Sequence, residues 1–219
     1  MQCNEASVAN LSTEFDEIII NRKVIELDDG CRIIYGQLNE CLQPTENEKE
    51  TLWSERPLQR HMYTMYGKQI PAPRFFKFYS SQEINVGFGG QSFHSDARVN
   101  TVEYGNRILE SMPLKYGYNS MLLNWYMTEK DYVAFHGDKE RGLVQTTPII
   151  SISIGGSRRF QIMKNDKTMV FDQMIHNNDV IIMQGQNFQY KYKHSIKKAL
   201  KRDGVVNPRI NITLRRYIC

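Results

Sequence analysis

Cysteine is sparse and unpaired in this chain: Cys3, Cys31, Cys41 and Cys219 form no C-x-x-C, so the spacing used by paired-thiol motifs is missing. No apolar run reaches the ~18 residues of a membrane-spanning helix, and the N-terminus has no signal-like apolar segment. A strong charge of one sign is missing too. The 28 Lys and Arg residues stand against 24 Asp and Glu, giving a net charge of +4 and a pI near 8.8. Such an average hints at an anionic partner without identifying one. There is no repeat period, no low-complexity block and no interdomain linker. These absences predict a soluble monomer of a reducing intracellular compartment, nucleus or cytoplasm, with no membrane association. What is present suffices for a full core: 41% of the 219 residues are hydrophobic and 24% charged, as in one ordinary globular domain, with or without an N-terminal extension.

Along the chain, residues 17–37 alternate apolar and polar around Asp28-Asp29-Gly30, which predicts a β-hairpin. Residues 40–57 are polar and acidic and lead into Leu52-Trp53 before Pro57, which reads as a short helix or a connector. Residues 1–57 are therefore assigned to an N-terminal extension and 58–219 to the main domain. Between 58 and 96, eight aromatics, from Tyr63 and Tyr66 to Phe88 and Phe93, lie among glycines and prolines. This composition predicts short strands with mobile loops, the setting of a substrate lid. Val99, Val102, Ile108, Leu109 and Met112 approximate a helical face from Ala97 to Met112, closed by Pro113. Eight β-rich runs follow: Met121–Tyr126, Tyr132–His136, Ile149–Ile154, Phe160–Met163, Thr168–Phe171, Val180–Met183, Tyr190–His194 and Arg209–Tyr217. The fold class is thus mainly β (α+β), a jelly roll or barrel with flanking helices.

Two H-x-D pairs compete for a metal. His94-Ser95-Asp96 adjoins a glycine-rich loop and the start of the expected helix, whereas His136-Gly137-Asp138 ends the β-type run Tyr132-Val133-Ala134-Phe135. On a strand, residues two apart point to one side. The second pair is preferred, with His194 as a distant third ligand, although His194 also reads as an ordinary hydrogen-bonded strand histidine. Two imidazoles and a carboxylate can occupy one triangular face of an octahedral iron and leave the opposite face open.

Taken together, Asn124-x-Tyr126, His136-x-Asp138, Pro148-Ile149-Ile150-Ser151-Ile152-Ser153-Ile154-Gly155, Asp179, His194 and Arg209-x-Asn211-x-Thr213-x-Arg215 follow a known order. Over residues 58–217 the chain resembles the AlkB family of Fe(II)- and 2-oxoglutarate-dependent dioxygenases. The resemblance implies a double-stranded β-helix core, with Fe(II), 2-oxoglutarate and O2 as cofactors. His136, Asp138 and His194 would hold the iron. Arg209 would grip the distal carboxylate of 2-oxoglutarate, assisted by Tyr126 and Asn211, while Asn124 and Arg215 would lie near its other end. A planar guanidinium suits that carboxylate because it offers two parallel hydrogen bonds. The implied activity is hydroxylation of an N-alkyl group on a nucleobase of DNA or RNA, with release of formaldehyde, succinate and CO2, a DNA-repair chemistry.

Several features point to nucleic acid, DNA ahead of RNA, as the partner. Lys191, Lys193, Lys197, Lys198, Lys201 and Arg202 bracket His194 and can meet phosphates at the mouth of a site. Met65-Tyr66-Gly67-Lys68, followed by Pro73-Arg74, resembles the hairpin of the duplex-repairing members, in which an apolar finger, here Tyr66, fills the gap left by a flipped base. Glu140 matches an acidic position facing the base edge. One departure is Val86, which stands where the repair enzymes carry an aromatic that stacks on the base. The alternative is a 2-oxoglutarate-dependent hydroxylase of the same fold acting on protein or lipid; a non-catalytic nucleic-acid-binding barrel is a third possibility.

Overall fold

Alternation of side chains about each strand organises the core. In the computed structural model, which describes residues 14–65, 67–88, 91–95, 97–98, 102–200 and 206–218, the central strands are buried on both faces. Strands β11 (Ile149–Gly155) and β16 (Arg209–Arg215) show the division of labour. Ile150, Ile152 and Ile154 of β11, with Ile210, Ile212 and Leu214 of β16, join one hydrophobic cluster, where each fully buried side chain contributes roughly 1.5–3 kcal/mol. Residues between them face the other way. There Ser151 and Ser153 oppose Thr213 and Asn211 in register, and a second cluster built around Phe160, Ile162 and Ile181 lies on that side.

Two sheets produce the two sides. The larger contains β1 (Ile19–Glu26), β2 (Arg32–Leu38), β5 (Phe75–Ser80), β8 (Ala97–Arg98), β9 (Ser120–Tyr126), β11, β14 (Asp179–Gln184) and β16, in the order β1-β2-β14-β11-β16-β9-β5-β8. The smaller contains β10 (Val133–His136), β12 (Arg158–Lys164), β13 (Met169–Ile175) and β15 (Tyr192–Ile196), in the order β10-β15-β12-β13. This is the jelly roll that the spaced β-runs predict. Short antiparallel pairs, β3 (Met62–Met65) with β4 (Lys68–Pro71) and β6 (Asn85–Phe88) with β7 (Gln91–His94), form the short strands expected within residues 58–96.

Helices cover the outer face of the large sheet. Helix α1 (Glu46–Ser54) starts with a capping box in which Thr45 and Glu48 satisfy each other's backbone N–H. Its Leu52 carbonyl accepts from Nε1 of the buried Trp125 at 3.0 Å. Helix α2 (Glu103–Glu110) is tied to α1 by Arg107, whose Nε and Nη2 donate to the two carboxylate oxygens of Glu48 at 3.0 and 2.8 Å. The expected 17–37 hairpin forms as β1 and β2 around a 3-10 turn at Asp28–Gly30, and β2 pairs with β14 inside the large sheet. No helix among the described residues is long and apolar enough to cross a membrane.

Two expectations need correction. The helix expected from Ala97 begins only at Glu103, because Ala97 and Arg98 pair in parallel with Tyr79 and Ser80 at the sheet edge. The run Tyr190–His194 is not one strand: Phe188–Lys191 form the short helix α3, and β15 starts at Tyr192. Apolar alternation over so few residues does not separate a helical turn from a strand.

Candidate active site

Pairing of β10 with β15 in the small sheet, with the loop after β10, brings His136, Asp138 and His194 together. His136 ends β10 and lies directly opposite His194 of β15 in antiparallel register, with ring centroids 4.2 Å apart. Asp138 follows on the loop after β10. Nε2 of His136 is 3.4 Å from Asp138 Oδ1, and Nε2 of His194 is 3.9 Å from the same oxygen. One donor atom from each residue falls within 4.8 Å of the others. His136 places Nδ1 2.9 Å from the Ala134 carbonyl; a carbonyl only accepts, so Nδ1 carries the proton and Nε2 keeps its lone pair for a metal. His194 stacks on Phe160, nearly parallel at 6.0 Å between centroids. Burial pushes its imidazole down to about 3, with His136 adding to the effect and Asp138 opposing it. It therefore stays neutral, the form that ligates. The rival histidine, His94, lies in β7 with a side chain outside the described residues, and Asp96 falls outside the described residues altogether.

Asp138 supplies the test of whether a cation fits. Its carboxylate is 1% exposed, yet Oδ1, the oxygen facing both imidazoles, has no hydrogen-bond partner among the described residues. A buried anion left half satisfied costs several kcal/mol, and a divalent ion coordinated by two imidazoles would supply the missing partner. The other oxygen, Oδ2, accepts from Nη2 of Arg215 at 2.6 Å. Burial alone would raise this carboxyl, but Arg215, aided by both histidines, holds it well below the usual carboxylate range. Arg215 is raised in turn, against its own burial, by Asp138 and then Glu140. Glu140 places Oε1 3.5 Å from Arg215 Nη1 with a side chain only 6% exposed; burial raises its carboxyl, Asp138 adds to the rise and Arg215 opposes it. It sits beside this ion pair, within the site.

Further along β16, Arg209 is completely buried. Nη2 donates to Ser153 Oγ at 2.8 Å, and the guanidinium lies over the Tyr126 ring at 5.1 Å. Its Nε and Nη1 have no hydrogen-bond partner among the described residues. Burial pushes Arg209 down to about 10, still charged at neutral pH. A buried cation with unpartnered N–H donors on two of its nitrogens is a receptor for an anion such as a carboxylate. Between Arg209 and the histidines runs an amide network. Asn211 Nδ2 donates to Ser151 Oγ at 2.8 Å and to the Ile152 carbonyl at 3.1 Å. Asn124 Nδ2 donates to Asn211 Oδ1 at 3.4 Å. Asn124, Tyr126, Asn211 and Arg215 line the same cavity as His136 and His194.

The expected substrate contacts are dispersed. Arg74 turns inward, donates from Nε to Asn124 Oδ1 at 2.6 Å and lines the cavity. Lys197 and Lys198 lie over the rings of Phe135 and Tyr132, 4.8 and 4.7 Å from their centroids, which places them just past the end of β15 and beside β10, the strands of His194 and His136. Tyr66 and the side chain of Val86 fall outside the described residues. Sequence reasoning assigned no role to Ser151 and Ser153, the acceptors for Asn211 and Arg209; their period of two among isoleucines was the available signal.

Comparison with known proteins adds an independent line. The profile of the family described as "2OG-Fe(II) oxygenase superfamily" matches residues 37–215. Among curated proteins, "DNA oxidative demethylase ALKBH2" of Arabidopsis thaliana is 26% identical over 222 residues, covering 89% of this chain and 69% of the relative. The "RNA replication protein" of Grapevine virus A (isolate Is 151) is 25% identical over 170 residues, 78% of this chain but 9% of that long protein. A solved structure of OsALKBH1 superimposes with a TM-score of 0.53 at 13% identity, covering 89% of this chain and 100% of that one, a likeness of fold.

Proposed function

Because the chain belongs to the 2OG-Fe(II) oxygenase superfamily, with Fe(II), 2-oxoglutarate and O2 as its cofactors, we propose that it oxidatively demethylates N-alkylated bases in nucleic acid, DNA ahead of RNA. The observation that carries this reading is the pairing, across the two sheets, of the His136-Asp138-His194 group with the buried, half-satisfied Arg209. One can hold a divalent metal and the other a carboxylate. The curated ALKBH2 relative and the lysines beside the site favour nucleic acid over protein or lipid.

His136, Asp138 and His194 hold the iron in this reading, and Arg209 holds the distal carboxylate of 2-oxoglutarate beside Tyr126 and Asn211. When bound, iron, cosubstrate and O2 supply hydroxylation of the N-methyl carbon, with succinate and CO2 as co-products, and the hydroxymethyl group leaves as formaldehyde. The chain contributes positions and electrostatics. Arg215 ties up Oδ2 of Asp138 so that Oδ1 faces the imidazoles, and the Ala134 carbonyl fixes the His136 tautomer. Asn124, held by Arg74 and Asn211, gives the cavity wall a hydrogen-bonding edge near the other end of the cosubstrate. Glu140 supports the Arg215 end and can accept from an exocyclic amine of the base. Lys197 and Lys198 meet phosphates, and residues 58–96 close over the nucleotide, with Tyr66 as the finger.

Mass spectrometry of oligonucleotides bearing 1-methyladenine, 3-methylcytosine or N6-methyladenine, incubated with protein, Fe(II) and 2-oxoglutarate, tests the proposal. Loss of one methylene per lesion with wild type, and none with His136→Ala, is expected; no loss from any of them refutes it. RNA is the second reading, favoured by the grapevine-virus relative, and matched DNA and RNA oligonucleotides decide between the two.

A further inference from the structure

Two glutamines grip the backbone on either side of the Asp138 side chain. The Asp138 N–H donates to Oε1 of Gln189 at 3.0 Å, and its carbonyl accepts from Nε2 of Gln145 at 3.1 Å. Gln189 is 3% exposed and sits in α3, the short helix that runs directly into β15 and His194. The approach is close: a Cβ on Gly137 would lie 2.0 Å from the Gln189 carbonyl oxygen. Nothing larger than hydrogen fits there unless α3 moves, so the residue between the two expected ligands is matched to this helix. The Gln189 amide has little else to do, since among the described residues Nε2 meets only Met183 Sδ at 3.8 Å, a weak acceptor.

We propose that Gln189, with Gln145, is a positioning residue for Asp138, an inference that rests on the metal reading of His136, Asp138 and His194. Arg215 pulls on Oδ2 from the opposite sheet at 2.6 Å. A carboxylate pulled from one side keeps its other oxygen on the imidazoles only if the Cα from which it hangs is fixed. Bonds to both flanking peptide groups provide that fixation. Without the Gln189 acceptor the Asp138 N–H becomes a buried donor with no partner, and the peptide turns to find one. Because Gln189 belongs to the helix entering the His194 strand, it also couples the first two ligands to the third.

Mn(II) binding to the metal-free protein, followed by loss of the free-ion EPR signal, tests this without turnover. Wild type binds and His136→Ala does not; absence of His136-dependent binding overturns the metal reading and the proposal with it. With that site established, Gln189→Met, which keeps the volume and removes the acceptor, weakens Mn(II) binding about 10-fold or more, the usual scale for groups that orient a ligand. Gln189→Glu restores an acceptor oxygen and returns the affinity to within about threefold of wild type. Thermal unfolding of each metal-free variant sets the temperature below which affinities are compared. Wild-type affinity in Gln189→Met overturns the proposal, as does a full loss shared by Gln189→Glu. If Gln189→Met does not fold, Gln145→Met, at a half-buried position, serves instead: weakened binding supports the clamp, and unchanged binding overturns it.

Discussion

Replacing Arg209 with lysine removes a planar fork and leaves a point charge at the most deeply buried cation of the inner face. Nη2 is engaged with Ser153 at 2.8 Å, while Nε and Nη1 have no hydrogen-bond partner among the described residues. N–H groups on two guanidinium nitrogens therefore remain open to an anion, and a lysine that keeps the Ser153 contact offers fewer, at a different angle. Losing one such charge-assisted bond in a dry site costs about 1–3 kcal/mol, or roughly 5- to 150-fold in affinity for 2-oxoglutarate. The non-reactive analogue N-oxalylglycine allows measurement without catalysis. At a concentration near 100 times its wild-type dissociation constant, it stabilises the protein by about 2.7 kcal/mol, a rise in Tm of about 5–11 °C for a domain of this size. With affinity reduced about 30-fold, the same concentration gives Arg209→Lys only about 0.9 kcal/mol, near 2–3 °C. Differential scanning fluorimetry separates these values easily. Equal shifts in the two proteins, each measured against its own ligand-free Tm, would refute the assignment of the anion site to Arg209 and move it to Arg215 or Arg216.

Asp138→Ala should abolish Fe(II)-dependent succinate formation, whereas His94→Ala should retain it; the reverse pattern would mean that the wrong H-x-D had been chosen. Arg215→Met should weaken metal binding, because Asp138 loses the partner that holds Oδ2 at 2.6 Å, and isothermal titration with Mn(II) reads the loss directly, with an unchanged isotherm counting against the pairing. Charge neutralisation at Lys197 and Lys198 should weaken binding to paired and unpaired oligonucleotides alike and flatten the plot of log K against log salt by up to about 2, whereas an unchanged slope would show that the two ammonium groups meet no phosphate. Tyr66→Ala should impair demethylation of a duplex far more than of the same lesion in a single strand, since unstacking costs a few kcal/mol only where the base is paired; equal losses would make Tyr66 a structural residue.

The inner face was legible where chemistry repeats every two residues. Arg209, Asn211, Thr213 and Arg215 alternate with Ile210, Ile212 and Leu214, so a strand must place one set among the outer apolar cluster and the other on the opposite side. The same logic makes Asn124 and Tyr126 neighbours of Asn211 and Arg209, since β9 and β16 pair with Asn124 opposite Asn211 and Tyr126 opposite Arg209. Legibility ended where the decisive contact is between elements with no common period. Tyr190-Lys191-Tyr192-Lys193 alternates as a strand does, yet the chain is helical through Lys191, because this turn is set by what α3 packs against. Glu140 gave no sign that it would be buried, for the Arg215 beside it is 75 residues away and belongs to the other sheet. Gly137 carries the sharpest case. In sequence it is the unconstrained middle of an H-x-D, and only the Gln189 carbonyl lying where its Cβ would be reveals that glycine is required there. A motif states which side chains converge, whereas the precision of their convergence depends on groups such as Gln189 and Gln145 that touch the motif through its backbone, and backbone contacts leave no pattern of side-chain types to read.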